Sequence, residues 1–408
     1  MENIKKEQNS VLIWVTIAEV LAMSLWFSAS AVSGTLAGVM DLTGNETPLI
    51  TSSVQIGFVV GAILSATLGL QDRFNPRTIF SLSAGLASTF NVIFVFSVHL
   101  IILAFILRFL TGVFLAGIYP VAVQFISSWF PQRRGFAIGL LIGGLTLGSA
   151  LPEFVEGLSL AGSWQSLIFA SSGLAFFAAI ISVFRFHDPP VKNQRPAFSW
   201  KHISRVIRNK SLMYDNIGYF GHMWELYAMW TWIPTFLYLS WESYFTTSNL
   251  FVYSTIGSFV VIGLAGLIGS ITGGVLADRI GRTAETILSM SISGLCSVIV
   301  GFTFGQLPIV TFALAFVWGI TVISDSAQFS TAVTELSPPT FTGSALTFQM
   351  AVGFLITVGS IDLIGYIVPI VGWKYAFSLL SLGPLIGVIS MYRLRKRPDA
   401  GLMANGMR

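Results

Sequence analysis

The sequence has few charged residues and almost no cysteine. Only 10% of its 408 residues are charged, whereas 54% are apolar, and an ordinary soluble domain carries about 25% charge. This composition excludes a soluble globular protein and a disordered chain. The single cysteine, Cys296, cannot form an internal disulfide, so a disulfide scaffold is excluded as well.

Long apolar runs fill the chain instead. Each is long enough for a helix across a hydrocarbon layer of about 30 Å, and none shows the alternation of a membrane barrel strand. We therefore predict an all-α integral membrane protein with twelve transmembrane helices. Numbered 1 to 12, they are expected at residues 11–33, 49–70, 78–97, 100–123, 136–158, 166–186, 211–240, 250–276, 284–304, 308–334, 344–368 and 374–392.

Lysine and arginine are distributed unevenly between the two sides of this arrangement. Twenty of the 22 fall on the side of the termini, Lys374 falls on the other side, and Arg108 lies inside helix 4. Because positive loops stay in the cytoplasm, both termini are predicted to be cytoplasmic.

The longest polar segment divides the helices six and six. We predict an N-terminal six-helix bundle at 1–186, a cytoplasmic basic linker at 187–210, a C-terminal six-helix bundle at 211–392 and a cytoplasmic tail at 393–408. The charge of the linker favours contact with anionic lipid headgroups, and no nucleic-acid partner is expected.

The two halves share an internal repeat. The pattern Glu-x-x-Ala-Met-x-x-Trp at 19–26 recurs at 225–232, and the Asp-Arg pair at 72–73 recurs at 278–279. Both pairs are 206 residues apart, so a duplication explains them better than coincidence.

One loop carries a recognisable motif. The run Gly-Val-Leu-Ala-Asp-Arg-Ile-Gly-Arg at 274–282 resembles the GxLADRxGR loop of the major facilitator superfamily (MFS), and 69–77 resembles a degraded copy. Arg108 with Gly112 resembles the helix-4 signature of that family. Helix 5 and the compact loops loosely resemble bacterial porters of the cyanate and nitrate group.

This resemblance implies a fold and a location. The fold is that of two pseudo-symmetric six-helix bundles, with helices 1, 4, 7 and 10 lining a central cavity and helices 3, 6, 9 and 12 facing lipid. The location is the bacterial cytoplasmic membrane, which the chain crosses many times.

The loop motif predicts a cytoplasmic gate. A carboxylate at a helix end accepts hydrogen bonds from backbone N–H groups and pairs with a neighbouring arginine. The alternative is that these are solvated loop charges. The predicted gate residues are Asp72, Arg73, Arg77, Asp278, Arg279 and Arg282.

Ionisable residues inside the membrane are candidates for substrate binding or proton coupling, because each costs about 2.5 to 3.5 kcal/mol on insertion scales. These candidates are Glu19, Arg108, His222, Glu225 and Asp325. His222 lies three residues before Glu225, so the two share a helix face and can hydrogen-bond. Arg108 leaves three interpretations open: it binds an anionic substrate, it neutralises Glu19 or Asp325, or it is structural.

Aromatic residues crowd the same helices. Trp26 in helix 1 and Tyr219, Trp224 and Tyr227 in helix 7 are predicted to form the wall of a substrate cavity. Helix packing with an interfacial aromatic belt is the alternative.

We conclude that the sequence encodes a secondary active transporter that moves a small solute by alternating access, coupled to protons, with Glu225 as the first candidate for the coupling acid. A uniporter or exchanger of small or organic anions is the alternative, and a membrane receptor or an intramembrane enzyme is less favoured. No cofactor or metal is expected. The predicted partners are a small-molecule substrate, protons and the lipid bilayer, with the chain as a monomer.

Overall fold

The computed structural model describes residues 2–43, 46–130, 134–158, 162–187, 199–338 and 340–407, and within these ranges it contains helices and no strand. A helix lies at each of the twelve predicted positions. Helices 1 to 6 span Glu2–Met23, Leu49–Thr67, Pro76–Ser97, Ile101–Leu115 with Tyr119–Trp129, Arg134–Gly157 and Trp164–Arg185. Helices 7 to 12 span Lys210–Trp241, Thr247–Phe259 with Val260–Leu264 and Ala265–Ile280, Arg282–Val300, Pro308–Ser324 with Ser326–Leu336, Thr342–Val371, and Trp373–Ala376 with Phe377–Ser381 and Leu382–Arg395.

Ten of these helices are long and apolar enough to cross a membrane, counted over the described residues. Helices 1 and 7 are not in this count. Charged residues at the start of helix 1, and polar and aromatic residues in helix 7, lower the mean hydropathy of these two helices. Their 22 and 32 residues, at 1.5 Å per residue, still exceed about 30 Å. The all-α membrane fold is confirmed, whereas twelve crossings and cytoplasmic termini stay predictions.

Local sequence explains several helix ends. Asn75 accepts a hydrogen bond from the backbone N–H of Arg77 and precedes a proline, so helix 3 begins there. Asn209 caps helix 7 in the same way. Between helices 8 and 9, Gly281 has φ 95°, a conformation that side chains disfavour, and it turns the chain directly from one helix into the next.

The predicted duplication is visible in the packing. Helix 2 packs on helix 11, and helix 8 packs on helix 5, which is the arrangement expected when two similar halves face each other. Gly112 in helix 4 lies against the backbone of Val54, and Gly319 in helix 10 lies against that of Val261. Gly319 and Val261 lie 207 residues after Gly112 and Val54, respectively, which is close to the offset of 206 in the sequence.

Contacts at one end of the bundle bring both ends of the chain to the same side. Gln8 near the start of helix 1 donates to the carbonyl of Trp129 at 2.9 Å, and the backbone N–H of Ala404 donates to Glu335 at the end of helix 10 at 3.1 Å. We call this the terminal side. Its assignment to the cytoplasm rests on the distribution of lysine and arginine.

The predicted boundaries of the bundles, linker and tail stay predictions. Residues 188–198 of the linker lie outside the described residues. The rest of the predicted linker includes a short helix, Trp200–Arg208, directly before helix 7.

Candidate functional site

Helices 4 and 10 are each interrupted near their middle. Helix 4 breaks between Leu115 and Tyr119, and helix 10 breaks at Asp325. Interrupted helices expose backbone groups inside the membrane and are tolerated where they line a cavity. The second halves of these two helices are therefore candidates to line a site.

A cavity of about 140 Å³ lies between these second halves, near the terminal side. Helix 4 contributes Tyr119, Gln124 and Ser127 to its lining, and helix 10 contributes Thr331 and Thr334. In helix 4 the lining positions 120, 123, 124 and 127 have the i, i+3, i+4, i+7 spacing that places one face of the half-helix toward the cavity. Its described lining contains hydroxyl, amide and apolar groups and no Lys, Arg, Asp or Glu.

An aromatic cluster fills the centre of the molecule. Trp26 packs on Phe58, Tyr227 and Phe354, with ring centroids 5.0, 5.5 and 5.6 Å apart, and Phe58 and Phe354 join helices 2 and 11 at 4.3 Å. All four rings are buried. Phe354 lies one turn beyond Met350, which lines the cavity, so the cluster begins one helical turn from the cavity.

The four aromatic residues predicted as a cavity wall have different surroundings. Trp26 and Tyr227 belong to the central cluster, and Tyr219 lies against Gly353 of helix 11 and the ring of His222. Trp224 faces helix 12, where its Nε1 donates to the carbonyl of Leu379 at 3.2 Å. None of the four is among the residues that line the cavity.

Glu19 is fully buried in helix 1. Neither of its carboxylate oxygens has a hydrogen-bond partner among the described residues. Helix 1 packs against the second half of helix 4, whose Tyr119 lines the cavity. Glu19 is thus a buried acid on a helix that packs beside the cavity, and no donor among the described residues reaches its carboxylate.

Arg108 is also fully buried, and it contacts helix 3 and the turn that follows helix 1. Its Nη1 donates to Asn91 Oδ1 at 2.8 Å and its Nη2 to the carbonyl of Trp26 at 3.0 Å, just beyond the point where helix 1 ends at Met23. The carbonyls after a helix end lack helical partners and carry partial negative charge. Among the described residues Arg108 forms no ion pair with Glu19 or Asp325.

The three candidates of helices 7 and 10 form two separate contacts. His222 Nδ1 lies 2.9 Å from Asp325 Oδ1, an ion pair whenever the imidazole is protonated. Glu225 accepts hydrogen bonds from Ser293 and from the indole of Trp318, both at 2.8 Å. His222 therefore contacts Asp325 and not Glu225, because donors from helices 9 and 10 occupy the Glu225 carboxylate.

The predicted gate is built mainly around Arg282. Its Nη1 donates to Asp278 and to Gln328, both at 2.9 Å, and its Nη2 lies 3.4 Å from Glu335 Oε1. Asp278 reaches the start of helix 5, where a Cβ on Gly135 would lie 3.0 Å from Asp278 Oδ2. We call this set, Asp278, Arg282 and Glu335 against Gly135, the latch.

The remaining gate residues make fewer contacts. Arg73 and Arg279 are exposed. Arg77, also exposed, donates to the carbonyl of Val183 at 3.5 Å. The side chain of Asp72 lies outside the described residues.

Three buried polar residues did not emerge from the sequence as candidates. Asp215 in helix 7 accepts from Gln349 at 2.9 Å, Glu285 in helix 9 accepts from Ser289 at 2.7 Å, and Asn91 binds Arg108. Asp215 falls inside the predicted span of helix 7, so its charge was an available signal. Asn91 carries no charge, and nothing in the sequence marks it as the partner of Arg108.

The comparison with known families settles the class of the protein. A family model described as Major Facilitator Superfamily matches residues 15–361. The chain belongs to the major facilitator superfamily. A solved structure of the MFS proton:xylose symporter XylE, bound to 6-bromo-6-deoxy-D-glucose, has the same fold, with a TM-score of 0.73, 13% identity and coverage of 95% of this chain and 96% of that one.

Curated relatives of this MFS protein are transporters. It is 25% identical over 265 residues to the probable sulfoacetate transporter SauU of Cupriavidus necator, a match that spans 59% of this chain and 58% of the relative. It is 26% identical to the niacin transporter NiaP of Acinetobacter baylyi, with 72% and 73% covered, and 24% identical to the probable galactarate/D-glucarate transporter GudP of Bacillus subtilis, with 89% and 91% covered. The chain is therefore a multi-pass membrane transporter of small solutes, and its relatives are not enzymes.

Proposed function

We propose that this transporter carries a small organic acid by alternating access, coupled to protons through Glu19. The substrates named for its relatives SauU, NiaP and GudP are all organic acids that are anions at neutral pH. The cavity of about 140 Å³ has room for about five water molecules, and a cavity of about 150 Å³ holds a molecule of the size of benzene, so this volume suits a small organic acid.

The lining of the cavity suits such a ligand. Tyr119 and Pro120 line it at the first turn of the second half of helix 4. A helix N-terminus favours negative charge. The amide of Gln124 adds a neutral donor, whereas the hydroxyls of Thr331 and Thr334 already donate to the carbonyls of Ala327 and Thr331. We infer that these groups orient a carboxylate or sulfonate without a cationic side chain.

The observation that carries the proton-coupled proposal is the isolation of Glu19. An unpaired carboxylate in a dry interior is far more costly than the protonated acid, and Glu19 has no partner for either oxygen among the described residues. Glu19 therefore holds a proton in this conformation and can release it only when water or a cation reaches it. Alternating access supplies that change of surroundings.

Glu225 is the natural comparison, because it occupies the repeat position of Glu19 in the second half. Its carboxylate is satisfied by Ser293 and Trp318, so its surroundings change less when the bundles move. It is the second candidate for the coupling acid, after Glu19.

The test is transport by the full-length protein in proteoliposomes. Sulfoacetate, niacin and D-glucarate are first screened for thermal stabilisation, since a ligand at 100 times its Kd adds about 2.7 kcal/mol. Glu19→Gln should abolish accumulation driven by a pH gradient while preserving exchange of labelled for unlabelled solute, because exchange moves the bundles without net proton movement.

Glu225→Gln is the matched control and should keep accumulation. Should Glu19→Gln still accumulate solute against a gradient, Glu19 does not couple protons; the Glu225→Gln result then decides on Glu225, and Asp325 is tested next. Wild-type transport that ignores the pH gradient would instead favour an anion uniporter or exchanger.

A further inference from the structure

The segment after helix 12 folds back onto the terminal side of the second bundle. We call Arg397–Met407 the docked segment; it contains two short 3-10 turns, Pro398–Leu402 and Ala404–Gly406. Ala400 and Met403 are fully buried. A segment that buries these side chains is packed against the bundle.

Polar contacts fix the docked segment at its first end. Arg397 Nε donates to Ser211 Oγ at 2.7 Å, and Ser211 in turn donates to Asp399. The Ser211 hydroxyl holds the pKa of Asp399 below its usual range. A carboxyl whose pKa is lowered in the folded protein stabilises the contact at every pH above its ordinary pKa of about 4, and this stabilisation is lost only as the pH falls below that pKa. The contact between Ser211 and Asp399 is therefore constant over the pH range of a transport assay.

Glu335 fixes the other end and is shared with the latch. Its Oε2 accepts the backbone N–H of Ala404 at 3.1 Å, while its Oε1 lies 3.4 Å from Arg282 Nη2. Arg282 holds Asp278, which meets the start of helix 5. A continuous set of contacts thus runs from the docked segment to the first bundle.

Ala404 is held in an unfavourable backbone conformation. Its φ is 47°, in the left-handed region that non-glycine residues seldom adopt. The hydrogen bond to Glu335 and the burial of Met403 hold it there. Substitutions of Ala404 can therefore either weaken or strengthen its contact with Glu335.

We propose that Glu335 is a positioning residue through which the docked segment sets the geometry of the latch, and hence the rate at which the two bundles interconvert. When Ala404 occupies Oε2, Glu335 is held in place to receive Arg282. Arg282 then presents Asp278 to helix 5. Release of the docked segment frees Glu335 and loosens the latch, none of whose four residues lines the cavity. The effect on transport rests on the proposed alternating-access function, whereas the structural coupling does not.

Hydrogen exchange on the full chain, without substrate, tests the coupling directly. Ala404→Pro removes the N–H donor and forbids the observed φ, so amides of 398–407 and of 278–285 should both exchange about tenfold faster, since a hydrogen bond to a charged group is lost. Ala404→Gly relieves the left-handed conformation and should slow exchange in both segments about threefold. Met407→Ala, at an exposed position, is the control and should change neither.

Transport gives a second readout. Ala404→Pro should lower the maximal rate several-fold at an unchanged KM, since the cavity is intact. Faster exchange in 398–407 with no change in 278–285 would overturn the proposal, as would a change in KM with the rate preserved. Because exchange is measured without solute, failure of the transport assay alone would count against the proposed function and leave the coupling result standing.

Discussion

Replacing Arg108 by methionine distinguishes a structural arginine from one that binds substrate. Methionine fills similar space and carries no donor. The guanidinium now satisfies Asn91 Oδ1 at 2.8 Å and the carbonyl of Trp26 at 3.0 Å, and both residues are fully buried. The variant leaves the carbonyl of Trp26 without this donor, and Asn91 Oδ1 keeps only the hydroxyl of Ser28 at 3.4 Å.

The size of the effect follows from those two contacts. Each lost hydrogen bond from a charged group costs about 1.5 to 3 kcal/mol, so we expect a loss of about 4 kcal/mol for the two. With an unfolding entropy of about 2 cal/mol/K per residue, a chain of 408 residues should melt about 5 °C lower. Arg108→Lys keeps the charge but presents one ammonium group to two acceptors, so about half this loss is expected.

The assay is thermal unfolding of purified protein, followed by intrinsic tryptophan fluorescence, together with binding of the solute found by the stabilisation screen. Both Arg108 variants should melt early and bind the solute with near-normal affinity when kept cold. Arg279→Gln, at an exposed position, should melt like the wild type. If Arg108→Met melts normally and loses only solute binding, Arg108 is a substrate-binding residue and the structural interpretation is wrong.

Two further variants test the latch and the packing of the repeat. Asp278→Asn should lower the maximal transport rate several-fold at unchanged KM in a vesicle uptake assay, because Asp278 joins Arg282 to helix 5 and lies away from the cavity; an equal loss of affinity would contradict a latch. Gly319→Ala should lower the melting temperature, since the new Cβ would lie 2.0 Å from the carbonyl oxygen of Val261 and overpacking of this kind costs about 1 to 3 kcal/mol. Gly359→Ala, which meets nothing within 4 Å, is the matched control, and an equal drop there would assign the loss to helix propensity.

The sequence was sufficient to predict the fold. The length of the apolar runs indicates membrane-spanning helices, and the fixed spacing of the repeat indicates two similar halves. The break in helix 4 was also accessible in principle. Gly117 lies within it and Pro120 follows it, and the residue before a proline avoids helical geometry. The break at Asp325 had no such signal, since aspartate in a long apolar run suggests a charge with a function before it suggests a helix end.

The partners of the buried charges were less predictable. Arg108 is held by the carbonyl of Trp26 and the amide of Asn91, and neither a backbone group nor a neutral amide stands out in a sequence. His222 and Glu225 share a helix face, yet each meets a side chain from another helix. Spacing within one helix predicts which residues can touch along it, and tertiary packing decides which of them do.

The difference between Glu19 and Glu225 follows from the repeat itself. Glu225 is satisfied by Ser293 and Trp318. The positions 206 or 207 residues earlier are Leu86 or Ala87 for the serine, and Thr111 or Gly112 for the tryptophan.

Leucine, alanine and glycine side chains have no hydrogen-bond donor, and the Thr111 hydroxyl donates to the carbonyl of Leu107 in its own helix at 2.9 Å. The first half therefore keeps the acid and lacks the groups that satisfy its copy. When water enters the cavity, the surroundings of a buried acid without donors change more than those of an acid that already accepts hydrogen bonds. Glu19 and Glu225 thus share a sequence pattern but differ in the hydrogen-bond donors around them. This difference is the physical reason to place proton binding at Glu19 before Glu225.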